Sequence, residues 1–167
     1  MRLFQLLAIA LLFIQCSLNI PDAVVIEMEN LPEKVDYNYH IKPILSDRCY
    51  QCHGPDEKTR KAGLRLDLEE VAFSRLKSGN KAFSKGNPFK SESLHRILST
   101  DLEIKMPPPE SNLELSSKEK AILIKWIEQG AEWKEHWSFI SPKEKAVPST
   151  VDHTIDYYIS KSMRKME

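Results

Sequence analysis

The most restrictive feature of this chain is a pentapeptide at residues 49–53, which reads Cys49-Tyr50-Gln51-Cys52-His53. Two thiols separated by two residues emerge from a single helical turn, and an imidazole follows at once. The chain has 167 residues and only three cysteines, the third being Cys16. Three cysteines are too few for the disulfide framework of a small secreted scaffold. The pair therefore points to chemistry at one site.

The C-x-x-C-H spacing is the signature of covalent attachment of a c-type haem. The two thiols add to the two vinyl groups of one porphyrin, so they must leave the same helical turn. The adjacent histidine then lies under the ring and coordinates the iron. The spacing predicts one haem c, held covalently by Cys49 and Cys52, with His53 as an iron ligand.

Three other uses are known for a cysteine pair with this spacing. A thioredoxin-like redox pair would follow a strand in a βαβ unit, and the sequence predicts no such unit. A zinc site needs four ligands, and a second cysteine pair is missing. A structural disulfide is compatible with export, but two-residue spacing strains it and is typical of catalytic pairs. A haem-free thiol–disulfide oxidoreductase that uses Cys49 and Cys52 therefore stays as an alternative function.

The second axial ligand can be sought by elimination among the methionines. Only Met106 lies inside the predicted helical core, and residues 107–109 after it are all proline. The others lie in the leader, the tether and the tail: Met1, Met28, Met163 and Met166. A residue before proline is restricted and a proline run is stiff, so this strap can hold a thioether against the iron. His95 is the alternative ligand.

The predicted ligand pair bears on function, because His/Met ligation raises the reduction potential and closes the iron to substrates. We therefore expect electron transfer rather than enzymatic turnover. An open iron site, with His95 as its acid–base group, would instead make the protein a haem peroxidase or a haem-based sensor.

Two further residues are candidates for contact with the cofactor. Arg65 lies in an alternating Leu-Arg-Leu-Asp segment and could bind a haem propionate bidentately. An ion pair with Asp67 or Glu69 is an equal alternative. Trp126 lies on the strongest predicted helix and could pack on the porphyrin edge or fill the protein core.

The N-terminal residues 1–16 are predicted to be a signal peptide, because Arg2 precedes an apolar run that is too short to span a bilayer. Cys16 follows the apolar run and is a candidate for acylation as a lipoprotein, or is removed with the signal. Residues 17–35 carry two prolines and several acids and are predicted to form a tether or an edge segment. We expect export to the periplasm or cell envelope, with membrane attachment only through a lipid at Cys16.

Periodicity and capping patterns predict an all-α domain of four or five short helices over residues 36–140. The predicted helix starts are Asp36, Asp67 with Glu70, Asn87 before Pro88, and Ser116 with Glu119 in a capping box. The last helix ends at Gly130 and presents one apolar face, made of Ile122, Leu123, Trp126 and Ile127.

Several segments together resemble the planctomycete-type cytochrome c domain over about residues 35–148. They are 41–45, 49–55, 61–67, 91–94, 106–109, 126–131 and 136–139. The resemblance implies a small fold similar to class I cytochromes c around one haem, with Cys49 and Cys52 as thioethers and His53 and Met106 as axial ligands. In this family the haem domain usually leads a longer exported protein. Residues 154–159 resemble the start of the next domain, so the tail at 141–167 is expected to be the beginning of a truncated second domain.

Composition limits the partners that this chain can have. It has 24 basic and 24 acidic side chains, a formal net charge of zero. A nucleic-acid binder needs a basic face to neutralise phosphates, so a net charge of zero argues against that class. We expect redox proteins as partners, together with any downstream domains of the same kind of protein.

Overall fold

The computed structural model describes residues 19–141 and 153–164. The predicted signal peptide, with Cys16, lies outside the described residues. The described residues form seven α-helices and no β-strand, so the all-α prediction is confirmed. The helices are α1 (Asp22–Glu29), α2 (Lys42–Arg48), α3 (Tyr50–His53), α4 (Glu69–Ala72), α5 (Glu92–Ile97), α6 (Ser117–Glu128) and α7 (Thr154–Met163). A π-helical turn (Tyr37–Ile41) precedes α2, and 3-10 turns occur at Pro88–Lys90, Pro109–Ser111 and Trp137–Phe139.

The chain divides into two compact units, Met1–Glu135 and His136–Glu167. Helices α1 to α6 belong to the first unit, and α7 belongs to the second. The boundary falls a few residues before the expected end of the haem domain at residue 140. Within the described ranges, none of the helices has the length and apolar character needed to cross a membrane.

Helix α6 is the centre of the first unit. Its capping box forms as predicted: the Ser116 side chain accepts a hydrogen bond from the Glu119 backbone, and the Glu119 side chain accepts one from the Ser116 backbone. The predicted apolar face is buried, but Ala121 and Ile124 are buried as well. A helix that is buried on most sides must be covered by neighbours on more than one face.

Trp126 anchors an aromatic cluster on this helix. Its ring centroid lies 5.3 Å from that of Phe83 in an edge-to-face arrangement and 6.0 Å from that of Tyr37. The indole nitrogen donates a hydrogen bond to the Glu132 carbonyl at 3.0 Å. The apolar core around Trp126 is therefore made of the protein's own side chains.

The predicted tether at residues 17–35 is wrong for its folded portion. Residues Asp22–Glu29 form α1, which packs against α6. Val24 is buried at 1% exposure, and Val35 is buried as well. The Gln129 side chain also fixes this segment, because it accepts a hydrogen bond from the Val35 backbone and donates one to the Glu33 carbonyl. These partners lie about a hundred residues further along the chain, beyond the reach of local sequence patterns.

Two predicted helix starts differ from the structure. Asp67 does not cap a helix, because Arg65 pairs with its carboxylate, and α4 begins at Glu69 without a side-chain cap. Asn87 does cap, through a bond from the Lys90 backbone, but it caps only a 3-10 turn, and α5 starts separately at Glu92.

The packing of α1 on α6 predicts that Val24→Ala destabilises the protein. Loss of two buried methyl groups should lower the free energy of unfolding by about 1.5–3 kcal/mol. Val25→Ala on the same helix is the control, because Val25 is 45% exposed; it should change that free energy by less than about 0.5 kcal/mol. Urea denaturation followed by circular dichroism measures both. Equal, small effects would show that residues 22–29 are a tether after all.

Candidate haem-binding site

The cysteine motif occupies α3, a helix of a single turn. Cys49 lies at its N-cap, and its carbonyl accepts hydrogen bonds from the backbone of Cys52 at 3.1 Å and of His53 at 2.8 Å. This turn places both thiols and the imidazole on one short stretch of backbone. Both cysteines are free thiols in the structure. The local geometry is the one that the C-x-x-C-H spacing predicts.

The segment that follows α3 folds back onto it. The Lys61 backbone donates to the Cys52 carbonyl, and the Leu66 backbone donates to the His53 carbonyl, both at 2.8 Å. Arg60 binds the carbonyl of Gly54 at 3.2 Å from within the same loop. The carbonyls at the end of the motif therefore have partners, although α3 is too short to satisfy them itself.

Glycine is required directly after the motif. A Cβ atom on Gly54 would collide with the Tyr50 carbonyl oxygen and would lie 2.9 Å from the Tyr50 Cβ. Gly54 thus lets the chain leave the helix immediately beyond His53. The backbone here is extended, so the need arises from close approach and not from a left-handed conformation.

A cavity of about 280 Å³ brings the predicted ligands together. Cys49, Cys52, His53 and Met106 all line it. Much of the remaining lining is aliphatic and comes from several elements, including Leu45, Leu64, Leu66, Ile97, Leu115 and Leu123. Apolar walls with a few polar groups are typical of cofactor pockets.

The thiol of Cys49 lies in an environment that keeps it protonated. Burial raises its pKa to about 12, and the negative charges of Glu119 and Cys52 act in the same direction. Redox-active C-x-x-C pairs have the opposite property, a lowered thiol pKa that supplies the reactive thiolate. The environment of Cys49 therefore does not favour the reactive thiolate that a thiol–disulfide oxidoreductase uses.

His53 has the properties of a metal ligand. Burial lowers its pKa; the backbone of Lys61 opposes this shift, and the positive charge of Arg96 reinforces it. The neutral imidazole that results is the form that binds metal. Its Nδ1 atom is buried without a hydrogen-bond partner, which is unusual for a buried polar atom. Two free thiols one turn apart, a neutral imidazole and a thioether on one cavity fit the needs of a c-type haem.

Met106 reaches the cavity on the strap that the sequence predicted. Pro107 and Pro108 line the cavity beside it. The Met106 backbone donates a hydrogen bond to the Arg96 carbonyl at 3.1 Å, near the end of α5. The strap is therefore fixed at the residue that carries the thioether.

The other candidate residues lie elsewhere. Arg65 is not among the cavity residues; its guanidinium forms two hydrogen bonds with the Asp67 carboxylate. Trp126 is fully buried in the aromatic cluster and is also absent from the cavity wall. Their contacts with haem stay predictions. His95 does not line this cavity either, and its Nε2 atom lies 2.8 Å from the Phe89 carbonyl oxygen.

Sequence reasoning missed three cations on the cavity wall: Arg48, Lys77 and Arg96. The Nε atom of Arg48 binds the Glu119 carboxylate at 3.0 Å, and the Nε atom of Arg96 binds that of Glu92 at 2.9 Å. These pairs hold the guanidinium groups in place beside an apolar pocket. Only Arg48 had a local signal, its position directly before Cys49; Arg96 reaches the cavity through tertiary folding.

A one-turn C-x-x-C-H helix beside a largely apolar cavity in an all-α domain is the arrangement expected of a c-type cytochrome. Residues 49–110 match the family model described as Planctomycete cytochrome C. This match agrees with the planctomycete-type cytochrome c domain that the sequence resembles, and that family implies a covalently bound haem. No curated protein and no solved structure matches the chain.

The contact between Arg48 and Glu119 predicts a pH-dependent contribution to stability. Burial alone would raise the pKa of Glu119, but hydrogen bonds from Ser116 and Arg48 outweigh it, and the net pKa is lowered. A lowered carboxyl pKa gives stability that is present above the unfolded value, about 4.3, and is lost as the pH falls through the folded value. Glu119→Gln should therefore destabilise the protein by about 0.5–2 kcal/mol at pH 7.

The difference in unfolding free energy between wild type and Glu119→Gln should shrink as the pH drops below about 4. Urea denaturation across this pH range measures it. Glu114→Gln is the control, because Glu114 is exposed and forms no ion pair among the described residues. A Glu119 effect that does not vary with pH would contradict the assigned charge interaction.

Proposed function

We propose that this chain is an exported monohaem c-type cytochrome module that transfers single electrons and is not itself an enzyme. The observation that carries the proposal is that Cys49, Cys52, His53 and Met106 line one cavity. When bound, haem supplies one-electron chemistry by cycling its iron between Fe(II) and Fe(III). The protein's own contribution is attachment, ligation and exclusion of water.

In this proposal Cys49 and Cys52 hold the porphyrin as thioethers. Burial around the Cys49 thiol and its raised pKa favour a structural, covalently committed role for that residue over reversible thiol exchange. Leu64, Leu66 and Ile97 supply apolar surface around the site and exclude water. Arg48 and Arg96 are the cavity cations available to the haem carboxylates, and each is held by its own carboxylate partner.

In this proposal His53 and Met106 would hold the iron of the haem. A thioether ligand would favour one-electron transfer, because it raises the reduction potential and closes the iron to substrates. The backbone bond from Met106 to Arg96 restricts the strap and favours permanent ligation. The peroxidase or sensor alternative loses its acid–base residue, since His95 is absent from the cavity wall.

The cellular setting in the proposal rests on residues 1–16. Export would deliver the chain to the periplasm or cell envelope, and acylation at Cys16 would anchor it to a membrane. Redox proteins are the proposed partners, together with downstream domains of the kind that the family carries.

Covalent haem attachment is the first test of the proposal. Expressed with cytochrome c maturation machinery, the protein should retain haem through acid–acetone extraction and denaturing gel electrophoresis. Cys49→Ser/Cys52→Ser should lose all covalent haem, because no thioether can form. Cys16→Ser is the matched control and should keep it. A colourless wild-type protein with two titratable thiols at 49 and 52 would refute the haem function.

The sixth ligand is tested by Met106→Ala in the haem-loaded protein. The weak long-wavelength sulfur-to-iron absorption band of the oxidised state should vanish, and the reduction potential should fall, because methionine ligation raises it. Met28→Ala is the control, since Met28 is a partly buried methionine that packs against the core from α1. Persistence of the band in Met106→Ala would exclude Met106 as the ligand.

A further inference from the structure

A strongly basic stretch interrupts a chain that is neutral overall. Residues 75–96 contain six basic side chains and one carboxylate, a local net charge of +5, against zero for the whole chain. The basic residues are Arg75, Lys77, Lys81, Lys85, Lys90 and Arg96, and the acid is Glu92. Such an asymmetry creates a local positive potential that the total charge conceals.

The fold gathers most of these charges around one open groove of about 850 Å³. Arg75, Lys81, Lys85 and Lys90 line it. We call this groove the basic groove. Glu92 and Phe83 line both the basic groove and the haem cavity. The basic groove therefore adjoins the proposed redox centre.

The cations of the basic groove are poorly neutralised from within the protein. Arg75, Lys81 and Lys90 are exposed and form no ion pair with any carboxylate among the described residues. Lys85 pairs with Glu69 at 3.1 Å, but both side chains are 50% exposed, and such pairs contribute little.

The one carboxylate on the groove wall is already engaged. One oxygen of Glu92 accepts a bond from Arg96 at 2.9 Å, and the other accepts one from Asn80 at 3.0 Å. It therefore does little to offset Lys81 and Lys90. Unpaired cations on a concave surface are ready to receive carboxylates from another molecule.

The basic groove also has an exposed apolar residue. Phe89 is 50% exposed, and its carbonyl oxygen lies 2.8 Å from His95 Nε2. An aromatic side chain within a charged rim is typical of protein–protein interfaces.

We propose that the basic groove is the docking site for an acidic segment of a protein redox partner. The inference rests on the proposed electron-transfer function, because docking here brings the partner beside the haem cavity. Carboxylates of the partner would pair with Lys81, Lys90 and Arg75, and an apolar residue would cover Phe89. A protruding peptide segment can enter a concave surface, whereas a flat anionic bilayer cannot, which favours a protein over a membrane.

The test uses the full haem-loaded protein and a fluorescein-labelled oligoglutamate peptide as the probe. Fluorescence anisotropy should detect binding at about 20 mM ionic strength that weakens at least tenfold at about 500 mM, because salt screens exposed charges. The double variant Lys81→Glu/Lys90→Glu should weaken the low-salt affinity at least tenfold. Lys81→Gln/Lys90→Gln should give a smaller loss of affinity. This variant replaces the charge-reversed one in the test if the latter misfolds.

Lys58→Glu/Lys118→Glu is the matched control. Both lysines are exposed, form no ion pair among the described residues and line neither cavity, and the change in net charge is identical. This control should alter the affinity less than about threefold, since screening limits distant charges. Equal losses in both charge-reversed variants would mean attraction to net charge alone, and no loss in either would place the peptide elsewhere; both results overturn the inference.

Vesicles containing phosphatidylserine test the competing occupant. Binding of the protein to these vesicles at about 150 mM salt, abolished by Lys81→Glu/Lys90→Glu and accompanied by no peptide binding, would assign the groove to a membrane surface and overturn the inference. The anisotropy assay does not involve electron transfer. A protein without covalent haem therefore refutes the proposed function, whereas a haem-loaded protein with no groove-dependent peptide binding refutes only the docking site.

Discussion

The haem-binding site depends on the return of residues 54–66 onto a helix that could not exist alone. One turn of helix fixes several dihedral angles for very few hydrogen bonds, so nucleation is unfavourable without tertiary support. In α3 that support consists of the backbone bonds from Lys61 to Cys52 and from Leu66 to His53. Tyr50 adds packing against the core. The two thiols keep their spacing because hydrogen bonds from the loop at residues 54–66 stabilise α3.

Local chemistry explains which parts of this structure could be predicted. The cysteine motif, the Met106 strap and the capping box of α6 each require residues only a few positions apart, and all three are found where the sequence placed them. Capping at Asp67 was also a local prediction, yet it is wrong. A guanidinium two residues away competes for the same carboxylate, and capping patterns alone do not reveal that competition.

The features that escaped prediction are those that depend on distant partners. Helix α1 has a weakly amphipathic sequence, and Val24 is buried only because α6 packs against it. Arg48 and Arg96 reach the cavity from separate helices and are oriented by Glu119 and Glu92. Arg65 was the residue that the sequence suggested, but the fold leaves it outside the cavity wall. A residue that could bind a haem propionate therefore cannot be identified without the tertiary structure.

The shared wall formed by Glu92 makes the two cavities energetically interdependent. This one carboxylate anchors Arg96, which faces the haem cavity, and Asn80, which faces the basic groove. Removing it would release both partners at once. Substitutions at residues that share such a partner do not have additive effects. A substitution at position 92 should therefore affect both the basic groove and the haem cavity, and the haem cavity limits which residues the groove can accept at this position.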